Sequence, residues 1–356
     1  MKKTKKVLVL TFCIVLLAVA TGLFAQKAKV AMRKIKDMDG AITEVPVDPQ
    51  RIACLYHVAS ERVLILGKGS SIVMMDQPSA WMQKYYPEIK QDVVFIRHGD
   101  SGSLEKMLDL KVDLAIYNKP SAASTEKFRI LGLTGVSCYT SRSRPSTMKD
   151  FKNNFTVQFK FFGDLLGSEA KIRAEKYCAY FDTKLDKIYS ITSKIKNKPT
   201  VYYGGMGMQS TPLNSTQGKD TVLNWFVKIA GGNYLPAEFD TYFTNVNSEQ
   251  ILGWNPNVIL LGGSLNNVDL KKDQVFGNLG AVKNNKVHLI PKGFSMWEHG
   301  GGEGVLLAIY LAKVFHPEEF KNWNMINEMT TFYSEIYGKK VTAQDAERIL
   351  KCLPPM

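Results

Sequence analysis

The residues best suited to chemistry are spread thinly along this chain. Its five histidines are His57, His98, His288, His299 and His316. No two stand three or four positions apart, so the sequence carries no helical zinc pair and no metalloprotease motif. It has no Gly-x-Ser-x-Gly elbow and no phosphate loop ending in Lys-Ser or Lys-Thr. Gly205-Met206-Gly207 follows an apolar run, but Ser210 stands where a dinucleotide turn needs its third glycine. What the chain does have is a set of polar and aromatic residues placed just after short apolar runs. In the first half these are Tyr56, His57, Asp76, Trp81, Arg97, His98 and Tyr117; in the second, Tyr203, Met206, Met208, Trp297, Glu298 and His299. If the runs are parallel strands, these positions line the crevice at the strands' carboxyl ends. Arg97 and His299 are the best single candidates. A guanidinium recognises oxygen-rich anions through forked hydrogen bonds, and a neutral imidazole fills an open metal position. His57 and Met206 join them, and Trp81, Trp297 and Tyr117 supply apolar walls. Arg142 and Arg144 stand where they would meet an anion or cap structure. His288, inside a strand, and His316, before Pro317, read as structural.

The runs that must hold these residues have the period of an α/β protein. A hairpin over Val30–Pro46 turns at Asp39-Gly40. Ile52–Tyr56, Ile72–Met75, Val93–Ile96, Asp113–Tyr117 and Gly135–Tyr139 read as buried strands, with helices at Glu61–Leu66 and from Ser103 to Leu110 between them. The pattern restarts with strands at Thr200–Tyr203, Val258–Leu261 and Lys286–Ile290 and helices at Asp220–Ala230 and Glu303–Phe315. Between the two series lies a helical passage, Ser146 to Ile195. Phe151, Phe155, Phe159, Phe162 and Leu166 mark one apolar face. Ala174, Cys178, Phe181, Leu185, Ile188, Thr192 and Ile195 mark another. Gly167-Ser168 reads as a stop and a fresh N-cap, but not as a turn strong enough to fold the passage back. The expected organisation is therefore residues 1–25 as a signal peptide, 26–145 as a first α/β lobe, 146–197 as a helical segment with a spine, and 198–356 as a second lobe. The fold class is α/β, two Rossmann-like lobes joined by a single long interdomain α-helix.

Composition narrows the setting. Lys2, Lys3, Lys5 and Lys6 precede an apolar run, Val7–Ala20, followed by small residues, the layout of a cleavable secretory signal, with an uncleaved membrane anchor over Val7–Ala25 as the competing reading. Cys13 lacks the preceding small residue of a lipoprotein signal. Net charge is +13, and removing those four lysines leaves about +9. The remaining lysines are scattered without a basic, aromatic-rich run, which argues against nucleic acid. Cys54, Cys138, Cys178 and Cys352 have neither zinc nor close pairing spacing and read as core thiols.

An internal repeat accompanies the two series. Ser103-Leu104-Glu105-Lys106-Met107-Leu108 leads to Lys111-Val112-Asp113-Leu114-Ala115-Ile116. Asn247-Ser248-Glu249-Gln250-Ile251-Leu252 leads to Asn255-Pro256-Asn257-Val258-Ile259-Leu260. Glu105 and Glu249 take the same place in each copy. These segments also carry a family resemblance. With Pro49-Gln50-Arg51-Ile52, Ser60-Glu61, Leu64-Ile65-Leu66-Gly67, Ala281–Val287 and Phe315–Phe320, the chain resembles ABC-transporter substrate-binding proteins for iron chelates and cobalamin, over about Val30 to Leu350. The resemblance implies two α/β lobes bridged by one rigid helix, with cargo held between them. It implies a membrane permease and a cytoplasmic ATPase as partners, Glu105 and Glu249 as permease-docking residues, and no intrinsic cofactor. Without a lipid anchor, such a protein is expected free in a periplasm, as a monomer.

The leading expectation is a receptor, not an enzyme, whose cargo is a small-molecule metal chelate, most often an iron(III) complex or siderophore. Haem, cobalamin, and nickel or oxyanion complexes are alternatives within the family. His299 is the candidate for touching the metal. The alternatives of another class are an enzyme on paired lobes with His299 or His57 as base, and a sensor that signals without transport.

Overall fold

The computed structural model describes residues 30–97, 103–118, 127–128, 130–138, 144–205, 213–262, 265 and 267–356. The N-terminal basic and apolar run, His98, Arg142, Met206 and Met208 lie outside them. Strands β1 (Met32–Lys36) and β2 (Ile42–Pro46) form the hairpin. Asp37 shapes its turn by accepting the amides of Asp39 and Ala41 at 3.0 and 2.9 Å.

Five short strands follow: β3 (Ile52–Cys54), β4 (Ile72–Asp76), β5 (Val94–Ile96), β6 (Leu114–Tyr117) and β7 (Gly135–Ser137). They form one parallel sheet in the order β5-β4-β3-β6-β7. Helices α1 (His57–Ile65), α2 (Ala80–Tyr85) and α3 (Leu104–Asp109) connect them. Helix α1 starts four residues before the expected Glu61, which puts His57 and Ser60 on the helix rather than in a turn.

The helical passage departs most from expectation. Helix α4 (Met148–Leu166) opens with a Thr147–Asp150 capping box. Gly167, at φ 106° and ψ 178°, ends it, and α5 (Ser168–Thr192) begins at once. The chain does fold back there. Phe155 stacks on Phe181 at 4.4 Å, Phe159 on Tyr177 at 3.7 Å, and Lys152 reaches Asp186 at 2.8 Å. These pairings run antiparallel, and Gly163 lets the helices touch because a side chain there would overlap Ala174. One residue suffices for the reversal because this backbone conformation is essentially open to glycine alone. The crossing between the lobes falls to α5, whose 25 residues span roughly 38 Å. Arg173, near its start, covers Gly67 of the first lobe, and Thr192 at its end donates to the Ile229 carbonyl of the second at 2.6 Å.

The second sheet is parallel, in the order β10-β8-β12-β13, from β8 (Thr200–Gly204), β10 (Asn233–Tyr234), β12 (Val258–Leu261) and β13 (Val287–Leu289). A small antiparallel pair, β9 (Ser215–Gln217) and β11 (Phe243–Asn245), lies beside it. Helices α6 (Val222–Ile229), α7 (Ser248–Trp254) and α8 (Gly304–Phe315) belong to this lobe. Helices α9 (Met325–Phe332) and α10 (Ala343–Leu350) then return to the first lobe, where Asp345 holds Lys84 at 2.8 Å and Trp81 donates to the Leu353 carbonyl at 3.1 Å.

Strand alternation sorts the core. On β3 and β6, Ile52, Cys54, Leu114 and Ile116 face one cluster while Ala53 and Ala115 face another. On β8 and β12, Val201, Tyr203, Val258 and Leu260 join that same first cluster, while Tyr202 and Ile259 turn away. The first cluster therefore runs unbroken from one sheet, through α4 and α5, to the other. The fold-back has a test with opposite signs. Gly167→Ala should lower stability by about 1–3 kcal/mol in denaturant unfolding, from backbone strain. A continuous helix would instead gain about 1 kcal/mol from the same change.

Candidate ligand cavity

The sheets and the helical hairpin leave a cavity of about 470 Å³. The first lobe contributes Tyr56, just beyond β3, Val58 and Arg62 on α1, and Asn118, just beyond β6. The connecting segment and α4 add Arg144, Phe151, Asn154, Phe155 and Gln158. The second lobe closes it with Lys219, Asp220, Asn224, Trp225, Lys228, Tyr242, and His299-Gly300.

Arg62 is the main electrostatic feature. It is 2 % exposed on a helix otherwise built from apolar and small residues apart from His57 and Glu61. Its Nη1 donates to the Val58 carbonyl at 3.1 Å, and its Nη2 donates to Gln158 Oε1 and, at 3.4 Å, to the Gly300 carbonyl across the lobes. The guanidinium lies 4.8 Å over the Phe159 ring. Burial pushes it below its ordinary pKa and the Glu61 charge pushes it back, and an arginine stays cationic through such shifts. Its direct hydrogen-bond partners are neutral, so among the described residues its positive charge has no carboxylate contact.

Further cations line the walls. Lys228 lies 5.1 Å over Trp225, with its pKa lowered by burial and by Lys219. Trp225 is stacked on Phe151 at 5.4 Å. Arg144 bridges Asp220, at 3.0 Å, and Asp240, tying the connecting segment to the second lobe. Among the described lining residues Asp220 is the one acid, against Arg62, Arg144, Lys219 and Lys228. The cavity is therefore cationic with aromatic walls.

The structure brings His57 and His299 together from opposite lobes, with ring centroids 6.4 Å apart. His299 lines the cavity and His57 stands behind it. Other residues singled out from the sequence lie elsewhere. Arg97 is exposed just beyond β5, away from the described lining. Trp81 is buried under the C-terminal segment, Tyr117 stacks on Phe128 at 5.6 Å, and Trp297 is fully buried beside Tyr310. Met206 lies outside the described residues. Among the described residues no three metal-ligating side chains cluster. Cys54, Cys138 and Cys178 are free thiols set in the core, where burial raises Cys138 to about 12 and Cys178 to about 11, while Cys352 is a half-buried free thiol near the C-terminus rather than a core one. His316 is structural, with Nε2 3.1 Å from the Gly231 carbonyl. Arg62, Lys219, Trp225 and Lys228 were not singled out from sequence. The available signal for Arg62 was a Glu-Arg pair inside an apolar helix, where a charge needs a reason.

Two α/β lobes around a cationic, aromatic cavity define a solute-binding protein. A family model described as periplasmic binding protein matches residues 52–293, and the chain belongs to that family. Proteins of this family carry cargo rather than an intrinsic cofactor. The molybdate-binding protein MolA of Haemophilus influenzae is 27 % identical over 142 residues, covering 39 % of this chain and 40 % of that protein. The crystal structure of MolA with molybdate matches the fold at TM-score 0.74 and 19 % identity, over 87 % of this chain and 99 % of that one. A periplasmic solute-binding protein from Veillonella parvula matches at 0.72 and 20 %, over 90 % and 97 %. CeuE of Helicobacter pylori, in a nickel–histidine complex, matches at 0.67 and 16 %, over 90 % and 99 %.

The cavity's charge is measurable without knowing its ligand. Iodide should quench a tryptophan component more strongly than caesium does, because Trp225 sits among cations. That component should vanish in Trp225→Phe, and the iodide bias should shrink in about 0.5 M salt, where screening acts within a few Å. Equal quenching by both ions would contradict a positive cavity.

Proposed function

We propose that this protein is the exported substrate-binding component of an ABC importer and that its cargo is an anionic metal chelate, of the iron(III)–siderophore kind. The observation that carries the reading is Arg62, a buried cation with no carboxylate contact at the cavity floor, beside aromatic walls. A buried charge that no carboxylate contacts directly is costly, and the neighbouring Glu61 charge offsets the burial only in part. An anionic cargo would supply a direct contact. Volume supports a chelate over a bare oxyanion. A tetrahedral anion of four oxygens fills about 120 Å³ if each oxygen takes a water's share of about 30 Å³. The cavity is several times larger, at about 470 Å³. His299, which lines the cavity, is the residue proposed to meet an open coordination position of the metal.

A bare oxyanion is the second reading, favoured by the sequence match to a molybdate-binding protein. Calorimetry with molybdate and with an iron(III)–catecholate complex separates the two. The chelate should bind at one per protein without turnover, and Arg62→Met and His299→Ala should each weaken it at least tenfold. Tight molybdate binding with no chelate binding would reject the chelate. Product formation would reject the receptor.

Docking to a two-subunit permease is the second part of the reading. The internal repeat carries through to structure with one spacing of 144 positions. Glu105 and Glu249 are exposed in the first turns of α3 and α7. Lys111 and Asn255, 144 positions apart, both adopt positive φ. Asp113 accepts the amides of Gln50 and Arg51, and Asn257 accepts that of Thr200, each pinning the start of a neighbouring strand. Both lobes thus present one acid in one local frame, and interface charges fix register more than they add affinity. Glu105→Lys with Glu249→Lys should abolish ATPase stimulation in reconstituted transporter and leave cargo affinity unchanged. Normal stimulation would leave these acids with only the helix-dipole role, worth about 0.3–1 kcal/mol each.

A further inference from the structure

We propose that Glu61 and Glu303, one from each lobe, share a single proton through the Ser295 hydroxyl, and that this proton clasps the loop carrying His299 and Gly300 against helix α1. Both carboxyls are fully buried, at 1 % and 0 % exposure. Ser295 Oγ lies 2.9 Å from Glu61 Oε1 and 3.2 Å from Glu303 Oε2. A hydroxyl has one hydrogen, so it can donate to only one of two carboxylates. With both acids ionised, the other contact is an oxygen against an anion. One added proton resolves this. Glu303 Oε2–H donates to Ser295 Oγ, whose own hydrogen goes to Glu61 Oε1.

The surroundings decide which acid carries the proton. Glu303 is raised to about 8, first by burial and then by the Glu61 charge. The other groups facing the pair are tyrosines from four directions: Tyr86 after α2, Tyr177 on α5, and Tyr333 and Tyr337 in the turn after α9. Burial holds all four well above the usual phenol range, so they remain neutral donors. Tyr337 donates to Glu61 at 2.7 Å and Tyr333 donates to Glu303.

The clasp reaches the cavity through backbone. The Gly302 amide donates to Glu61 Oε2 at 2.9 Å, and the Gly302 carbonyl accepts from Tyr177 at 3.0 Å. The amides of Phe294 and Ser295 donate to Glu303 at 2.9 and 2.7 Å. Residues 293–303 are thus pinned at both ends, with His299 and Gly300 between. Glycines at 301 and 302 permit the approach, since a side chain at either would overlap Glu61 or Ile65. Loss of the proton sets two anions against each other across the lobes and loosens the cavity floor. The sign follows from Glu303 lying above its ordinary value. Its stabilising contribution is full below about pH 4.5 and is lost as pH rises through about 8. The consequence for cargo rests on the cavity reading above. The test needs no cargo, so the two stand or fall separately.

Infrared titration of the cargo-free protein reads the shared proton directly, through the carboxylic acid C=O band. Wild type should show a protonated carboxyl at pH 7 that is absent in Glu303→Gln and retained in Glu298→Gln, the control for the other raised acid. In Glu61→Gln the Glu303 midpoint should fall by about one unit, because the like charge is gone. By amide hydrogen exchange, normalised for intrinsic rates, Gly302 protection should fall by up to about tenfold per pH unit between about pH 4.5 and 8 in wild type and level off above that. It should stay flat in Glu303→Gln. The absence of a Glu303-dependent acid band at pH 7, an unmoved midpoint in Glu61→Gln, or flat Gly302 protection in wild type would each overturn the clasp.

Discussion

The structure depends on one constraint: the apolar core does not stop at the boundary between the lobes. Side chains from both parallel sheets meet the aromatic seam of α4 and α5 in a single cluster. Phe151 and Phe155 belong to that seam and also line the cavity. Separating the lobes widely would expose it. A buried aromatic ring hides about 150–250 Å², so uncovering two of them costs about 8–12 kcal/mol at 25 cal/mol per Å². That is comparable to the whole stability of a domain. The shared seam therefore opposes wide parting of the lobes. The C-terminal helices reinforce this by returning to α2, where Asp345 binds Lys84 and Tyr85.

Against that apolar background the buried charges stand out. Glu61, Arg62, Glu298 and Glu303 lie within or beside the junction. Replacing such groups by apolar residues of similar size is often neutral or stabilising. Their presence here fits a junction that must do more than hold together. Glu61 and Glu303 fix backbone on the far side of the floor, while Arg62 directs positive charge into the cavity. Neighbouring residues of α1 thus divide the work, Glu61 facing the junction and Arg62 lining the cavity. The acids also keep the loop before α8 close to α1, which brings the His299 ring to the His57 ring.

The two lobes resemble each other where they face outward and differ where they face the cargo. Capped helix, left-handed exit and pinned strand recur at a constant spacing. Cavity contributions are unequal: the first lobe offers strand-end residues and the start of α1, the second the length of α6 and the loop before α8. A symmetric exterior suits a partner made of like halves, and an asymmetric interior suits an irregular ligand.

Much of the architecture was legible in the sequence because it is local. Period-2 and period-3.6 apolar patterns, the caps at Ser103 and Asn247, and the turn at Asp39-Gly40 each act within a few residues. The repeat could be read because the same local pattern occurs twice. The reversal at Gly167 was not read. Whether a single glycine stops a helix or reverses it depends on what α5 finds to pack against, and that was the phenylalanine face of α4. The site divided the same way. His299 was visible as a strand-end residue, but Arg97, Trp81, Tyr117 and Trp297 shared that signature and lie away from the described lining. The floor is set by Arg62, which sits mid-helix, and the wall by Trp225 and Lys228 on a helix far along the chain. Sequence shows which residues follow strands. Only the packing of one lobe against the other decides which of them share a space, because that pairing is fixed by contacts between residues more than a hundred positions apart.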